Sequence, residues 1–435
     1  MIEAFFTLLA VIDEFYWRYV GFTLVFFSGL YFTIKTRGYQ FITLRHAVTN
    51  IKALMHEHDP SDRGAHPIRL YFASVGGMVG IGNMVIAVTA VVIGGPGSLF
   101  WLWVSSFAGM LLKYSEIYLG IRYRVENDQG GYDGGPMYYL QAAFGSRYLP
   151  VLVCVFMCIY GVEVSQFLIL TDTISSTLQL NRFAVIGCLL VMIVYGALGG
   201  VKRLSTVCSV LMPPFMLLYI GMCTWVMIEN WSVLLALIPV IFNSAFEGHA
   251  AIGGFTGSTM LLAAQCGTSR AVYSGDIGIG YDSIIQSETR IKIPERQARV
   301  AVFALANDTL ICTLSCLTVL VTGLWCTDLD LKSSEYIARA LGQYFPHIEL
   351  FMVVLFFLAG FTTIICYFVV GLKCARYVSP SRGEWMYIAY AILAFTFFSF
   401  FDQTSVLLVM NVAAGILTLC NLSGIIKLRH QIKFR

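Results

Sequence analysis

GGMVGIGNMVIAVTAVVIGGPGSLFWLWV, residues 76–104, is apolar almost throughout, yet glycines stand inside it at 76, 77, 80 and 82. An apolar run this long without strict alternation reads as buried helix, and glycine is the residue that tolerates the dihedrals of an unwound turn. About 20 apolar residues in a helix cross a hydrocarbon core about 30 Å thick, because each backbone polar group there must be bonded within its own segment. The stretch 67–93 meets that length. Its glycines either let a neighbouring helix pack closely or mark an interruption halfway across.

The rest of the chain has the same character. Of 435 residues, 58% are hydrophobic and 12% charged, and the mean hydropathy is +0.75. An ordinary globular domain is about 45–50% apolar and about 25% charged. So few charges cannot cover the surface of a soluble protein of this size, and the composition predicts an all-α polytopic membrane protein in contact with a lipid bilayer. A net charge of +3, with the basic residues dispersed, gives no footprint for nucleic acid. Most of the twelve cysteines lie inside apolar runs, which suits small packing residues better than a disulfide scaffold. His56 and His58 form a weak metal pattern in a polar loop. The first residues, MIEAFFTLLAVIDEFYW, lack a basic start and a small-residue cleavage site, so no signal peptide is expected.

Eleven transmembrane helices are predicted, near 17–34, 67–93, 98–119, 150–178, 183–200, 204–228, 246–266, 300–325, 348–371, 385–401 and 404–426. The apolar stretch 231–242 is too short to cross and holds Pro239, so it reads as interfacial. With the N-terminus outside, all but Arg18, Arg182, Lys332 and Arg339 of the 28 Lys and Arg fall on the cytoplasmic side. The C-terminus is then cytoplasmic.

Spans two and seven are the glycine-rich ones, the second through Gly248, Gly253, Gly254 and Gly257. They lie five apart and each heads a set of five, the placement of a 5+5 inverted repeat with two broken helices plus one extra N-terminal helix. The chain divides accordingly into 1–66, a first repeat 67–228, an extracytoplasmic segment 229–245, a second repeat 246–426 and a tail 427–435. Unwinding a helix at mid-membrane frees amides that suit a carboxylate and carbonyls that suit Na⁺. One amino acid zwitterion and a sodium ion satisfy both sets.

Several long motifs then stand in register. The opening run, KYSE at 113–116, GGPMYYL at 134–140, AAIGGFTGST at 250–259, GTSRAVYSGDIGIG at 267–280 and NDTLICTLS at 307–315 resemble the alanine or glycine:cation symporter family. The resemblance covers about residues 20–425. It implies a LeuT-like fold, no enzymatic activity, no organic cofactor, and import of a small neutral amino acid such as alanine, D-alanine or glycine with Na⁺ through the cytoplasmic (inner) membrane. A monomer or weak oligomer is expected.

Carried over residue by residue, the resemblance implies a sodium site made by the carbonyls of Gly76, Val79 and Ala359 and the hydroxyls of Thr362 and Thr363. The alternative for the two threonines is a bond back to their own helix. A second site would take the Met78 carbonyl, Asn83 and Thr256, with Asp308 or Asn307 from span eight. Asp308 within an apolar helix costs on the order of 3 kcal/mol unless compensated, and either an ion or a hydrogen bond to the broken helix answers that cost. Gly80, Ile81, Gly82, Asn83 and Gly253, Gly254, Phe255, Thr256 and Gly257 would hold the substrate backbone, with Leu170, Phe255 and Tyr367 shaping the side-chain space.

Three departures fall in that pocket. Ile81 stands where the family's GTGN has a hydroxyl, Leu170 aligns with a glutamine, and Tyr367 aligns with a tryptophan. Glu163, in mid-span, is a further departure. It meets the substrate ammonium, replaces a sodium, carries a proton as in a proton-coupled carrier, or bonds a neighbouring helix. Lys113 and Glu116, three apart on one helix, pair locally, form a gate contact or snorkel.

Overall fold

A computed structural model describes residues 2–55, 63–128, 130–247, 260–326 and 331–434. The chain begins as one long helix: Ile2–Phe15 (α1), a π-helical stretch Tyr16–Gly21, and Phe22–Lys35 (α2) follow one another with right-handed helical junctions. The span expected from residue 17 therefore starts much earlier. Asp13 and Glu14 break the apolar run without breaking the helix, and Glu14 pairs with Arg18 one turn on at 2.9 Å. Tyr39–Arg45 (α3) and Ala47–Met55 (α4) fill the connection that follows.

Pro67–Met78 (α5) and Ala87–Gly94 (α6) are the two halves of a helix bent by 44°, the turn between them ending in a π-helical stretch, Gly82–Ile86. Gly97–Arg122 (α7) leads to a small hairpin, Val125–Glu126 (β1) and Tyr132–Asp133 (β2), paired antiparallel, and to Pro136–Phe144 (α8). Tyr148–Tyr160 (α9) and Val164–Thr177 (α10) form an interrupted span in which Glu163 takes a left-handed φ of 53°. Arg182–Ala197 (α11), Gly200–Glu229 (α12) and Trp231–Glu247 (α13) follow.

Met260–Gly275 (α14) and Tyr281–Gln286 (α15) are separated by a turn at 276–280, then come Pro294–Ala298 (α16), Val300–Val321 (α17), Ser333–Gly342 (α18), Ile348–Val378 (α19), Gly383–Phe398 (α20) and Gln403–Lys427 (α21). Among the described residues, five helices and the bent α5–α6 pair are long and apolar enough to cross a membrane.

The span expected at 246–266 is described only at its two ends. Its first two residues end α13, its last ones open α14, and Gly248 and 253–257 lie outside the described residues, as do His56 and His58. The interruption of the described helix comes at GDIGIG, where Asp276, Gly278 and Gly280 all have positive φ. Arg270, counted above on the cytoplasmic side, is a helical residue of α14 that bonds Thr89 of α6 and Asn411 of α21. A longer apolar run masked it, because α14 mixes its polar residues with small ones that pack inward.

Lipid supplies no hydrophobic drive between spans, so close approach of small residues has to hold them. A Cβ on Gly29 of α2 would strike Ala108 of α7, one on Gly267 of α14 would strike the Ser98 carbonyl of α7, and one on Gly97 would strike the backbone of Ser244 and Ala245 in α13. These contacts make α7 the central strut of the bundle. The outward faces of α11, α12 and α20 carry Val191, Tyr195, Leu217, Trp385 and Leu393, each exposed as lipid contact requires.

Candidate functional site

Two broken helices cross at the centre of the bundle. Gly77 of α5 lies against the ring of Tyr281 at the start of α15, where any Cβ would overlap the phenol. The Tyr281 hydroxyl donates to the Ala73 carbonyl at 2.7 Å. Gly77 is thus required for the approach of the two halves, which is a stronger demand than loose packing.

The freed groups of the two breaks are answered differently. At the second break, Lys113 of α7 donates to the carbonyls of Gly275 (2.6 Å) and Asp276 (3.3 Å), and the Asn421 amide of α21 donates to those of Gly278 (3.0 Å) and Ile279 (2.7 Å). Protein side chains satisfy these carbonyls. At the first break the amides are held by side chains that can let go: Gly80 N–H by the Asn83 Oδ1 at 2.9 Å, and Ile81 N–H by the Gln166 Oε1 at 3.1 Å. Those two N–H groups are the donors a carboxylate needs.

Gln166 was not singled out from sequence. It stands one helical turn before Leu170, where the family resemblance places a glutamine, on the same face of α10. Its amide donates to Glu163 Oε2 at 3.1 Å, and the Tyr273 hydroxyl of α14 donates to the same oxygen at 3.1 Å. Of the alternatives for Glu163, the bonded acid is the arrangement present: it aims Gln166 at the unwound segment and ties α10 to α14.

Thr363 Oγ1 lies 2.9 Å from the Gly76 carbonyl and 3.0 Å from the Ala359 carbonyl. Thr362 Oγ1 lies 2.9 Å from the carbonyls of Ala359 and Leu358 and 3.4 Å from Met212 Sδ. Both threonines bond back into α19, and Thr363 also bridges to the broken helix. Four of the five oxygens expected around a sodium ion are therefore gathered between α5 and α19, a hard donor set that fits such a cation. Val79 adjoins them as the C-cap of α5.

Around the second expected ion position, Asn83 Nδ2 donates to Asp308 Oδ1 at 2.6 Å, and Ser274 Oγ donates to Asp308 Oδ2 at 3.1 Å. Asp308 fastens α17 to both broken helices. Asn307 is turned away and donates to the Tyr71 hydroxyl at 2.5 Å, so it does not share that position. The Met78 carbonyl accepts from Gly80 N–H at 3.1 Å, while Thr256 and the rest of the 253–257 segment, Gly253, Gly254, Phe255 and Gly257, lie outside the described residues.

The side-chain pocket brings Ile81, Leu170 and Gly360 together: a Cβ on Gly360 would sit 2.5 Å from Ile81 Cδ1 and 3.8 Å from Leu170 Cδ2. One turn along α19 and α10, a cleft of about 710 Å³ opens between Phe356, Met352, Asp172, Thr173 and α18. Tyr367, on the other side, donates to Asp276 Oδ1 at 3.2 Å and packs on Tyr160 and Tyr281.

Toward the other end of α19, charged side chains tie several elements together. Lys373 of α19 binds Glu288 Oε1 (2.6 Å) and Asp133 Oδ1 (3.0 Å), and Arg124 donates to the carbonyls of Ser287, Thr289 and Ile291. Lys113 and Glu116 neither snorkel nor pair with one another in a local bridge. Both are wholly buried, and Lys113 reaches Asp276 and Asp282 across to the break.

A broken helix meeting the turn at 276–280 inside an apolar helical bundle is the architecture of a helical membrane protein of LeuT-like fold, and its family and structural likenesses make it a transporter, not an enzyme. The chain belongs to the sodium:alanine symporter family, whose pattern it matches over residues 2–434. It is 30% identical to an uncharacterised transporter of Haemophilus influenzae, over 98% of this chain and 94% of that one. It is 26% identical to the sodium/alanine symporter AgcS of Methanococcus maripaludis, over 98% and 95%. The solved structure of MhsT in complex with L-phenylalanine has the same fold, with a TM-score of 0.58 at 14% identity over 83% of this chain and 89% of that one.

Proposed function

We propose that the chain is a sodium-coupled symporter that imports a small neutral amino acid of the alanine, D-alanine or glycine class across the cytoplasmic membrane by alternating access. The observation that carries this reading is Thr363 Oγ1 bridging the carbonyls of Gly76 and Ala359. A cation replacing that hydrogen-bonded bridge draws α5 and α19 together. The substrate carboxylate then takes the Gly80 and Ile81 amides, which lie on the same unwound turn a few residues on. Coupling follows because ion and substrate favour one arrangement of the broken helix. Asn83 and Asp308 supply a second ion position in this reading.

Eleven crossings with the N-terminus outside complete the topology, the seventh being α14 with α15 and the repeats being spans two to six and seven to eleven. The cleft above Ile81 and Leu170 is then the external entrance, and the Lys373 network is the cytoplasmic closure. Uptake by purified protein in liposomes tests the proposal, with a panel of L- and D-amino acids and imposed Na⁺ or proton gradients. Sodium-driven accumulation of alanine or glycine is expected. Accumulation that ignores sodium would overturn the coupling.

A further inference from the structure

One group of buried charges serves neither the sodium site nor the amino acid pocket. Along α7, Gly109 packs on Ile277 and Gly120 on Ser283, so the face between them runs beside the 276–280 break. That face carries Lys113 and Glu116, and Asp276 and Asp282 lie opposite. All four side chains are fully buried. Lys113 Nζ sits 2.9 Å from Asp282 Oδ2 and 3.3 Å from Asp276 Oδ2. Ser74 donates to Asp282 Oδ1 at 2.5 Å, Tyr367 donates to Asp276 Oδ1, and the Asp282 amide donates to Asp276 Oδ2 at 3.1 Å.

Glu116 is the exception. Ser283 is the one hydroxyl beside it, and that group donates to the Gly280 carbonyl at 2.8 Å, so neither Glu116 oxygen accepts a hydrogen bond of ordinary geometry; the hydroxyl of Tyr139, buried nearby on α8, is unpartnered as well. Three carboxylates face one ammonium, so full ionisation would leave two uncompensated negative charges in a low-dielectric interior. A proton on Glu116 removes one of them and turns an orphaned acceptor into a neutral acid. Sodium is the poorer answer. The aspartate oxygens already have partners, which leaves two open oxygens, too few for a hard cation's shell. Among the described residues no trio of acids, histidines or cysteines is arranged to hold a metal.

We propose that Glu116 is a proton-binding site of the transporter, separate from its amino acid and sodium positions. The titratable groups that face it are Lys113 on its own helix, Asp276 and Asp282 about the break and Tyr139 on α8; beyond these, Tyr281 and Tyr367 adjoin the aspartates, Asp308 adjoins Asp276, and Cys420 adjoins Tyr139. Binding adds H⁺ to the carboxylate and nothing else. Because Lys113 holds the Gly275 and Asp276 carbonyls at the break, a change of charge at Glu116 alters the ion that fixes this hinge. The inference builds on the transporter reading, but its test needs no amino acid.

Infrared difference spectra of the purified full chain in lipid, titrated from about pH 5 to about pH 9 in H₂O and D₂O, report protonated carboxyls directly. The expected result is a protonated C=O band that shifts in D₂O and fades as pH rises. It is absent in Glu116→Gln, present in Glu163→Gln, and the same in sodium and choline chloride. Should Glu116→Gln not fold, Glu116→Asp decides, with a band displaced from the wild-type frequency. A wild type without the band, a band that survives Glu116→Gln or is unmoved in Glu116→Asp, or one abolished by sodium at fixed pH would each overturn the proposal.

Discussion

The amide of Ile81 donates to Gln166 Oε1 across 3.1 Å, joining the unwound turn between α5 and α6 to a residue of α10. Gln166 thereby occupies the direction from which a substrate carboxylate would approach, and Glu163 and Tyr273 hold it there. Removing the side chain leaves a buried N–H unpaired, a loss of about 1–3 kcal/mol. Gln166→Ala removes the acceptor that competes with the substrate carboxylate for the Ile81 amide, and should therefore raise the affinity for amino acid by roughly 10-fold. Glu163→Gln keeps a hydrogen-bonding neighbour and should have a smaller effect. Saturation curves for uptake in liposomes distinguish the two, and a lower affinity in Gln166→Ala would argue against the Ile81 amide as a carboxylate donor.

Thr363 and Thr362 are adjacent but not equivalent. Thr363 reaches Gly76 on the broken helix, whereas the carbonyls that Thr362 meets belong to its own helix. Thr363→Ala should raise the sodium concentration for half-maximal uptake by about 10-fold or more, while Thr363→Ser should restore it. Thr362→Ala should shift it less. Sodium titrations at fixed amino acid concentration measure all three, and an unchanged sodium dependence in Thr363→Ala would remove the ion from this position.

The Lys373 latch has a definite pH behaviour. Burial works against ionisation of Asp133, but the Lys373 ammonium at 3.0 Å and the Asn127 amide at 3.2 Å outweigh it and hold the carboxyl below the usual carboxylate range. A depressed acid stabilises the latched form above the pKa it has when released, and that contribution fades only as pH falls through the lower, latched value. Closure should thus be constant between about pH 5 and about pH 8. Lys373→Ala should instead open it at every pH. Maleimide labelling of a Thr289→Cys reporter in a cysteine-free background should rise about 10-fold, equivalent to about 1.4 kcal/mol.

Much of this architecture was legible in the sequence because membrane helices are dictated by length and apolarity, and the first break because its glycines sit in an uninterrupted apolar run. The interruption at 276–280 was not singled out. GGFTG, outside the described residues, offers denser glycine than GDIGIG and drew the reading there. Gln166 was missed for a related reason: alignment fixes a residue's number, while a helix face accepts the same group one turn away. The Lys113–Asp276–Asp282 cluster joins residues far apart in the chain, and no local pattern announces such a juxtaposition.

Ile81 and Leu170, two of the departures from the family pattern, meet at Gly360, and in the proposed pocket that contact would set how much side chain the substrate can carry. A methyl added at Gly360 would fall 2.5 Å from Ile81 Cδ1 but 3.8 Å from Leu170 Cδ2, so Ile81 alone must yield. Overpacking of this kind costs about 1–3 kcal/mol. Gly360→Ala should reduce amino acid uptake by roughly 10-fold or more, and Ile81→Val, which removes the clashing carbon, should restore much of it in the double variant. Leu170→Ala should not rescue Gly360→Ala, because its nearest atom is already at ordinary contact distance. As a single change, Leu170→Ala should instead admit a bulkier neutral amino acid, read as a shift in competition for alanine uptake. Rescue by Leu170→Ala and not by Ile81→Val would place the pocket on the other side of Gly360.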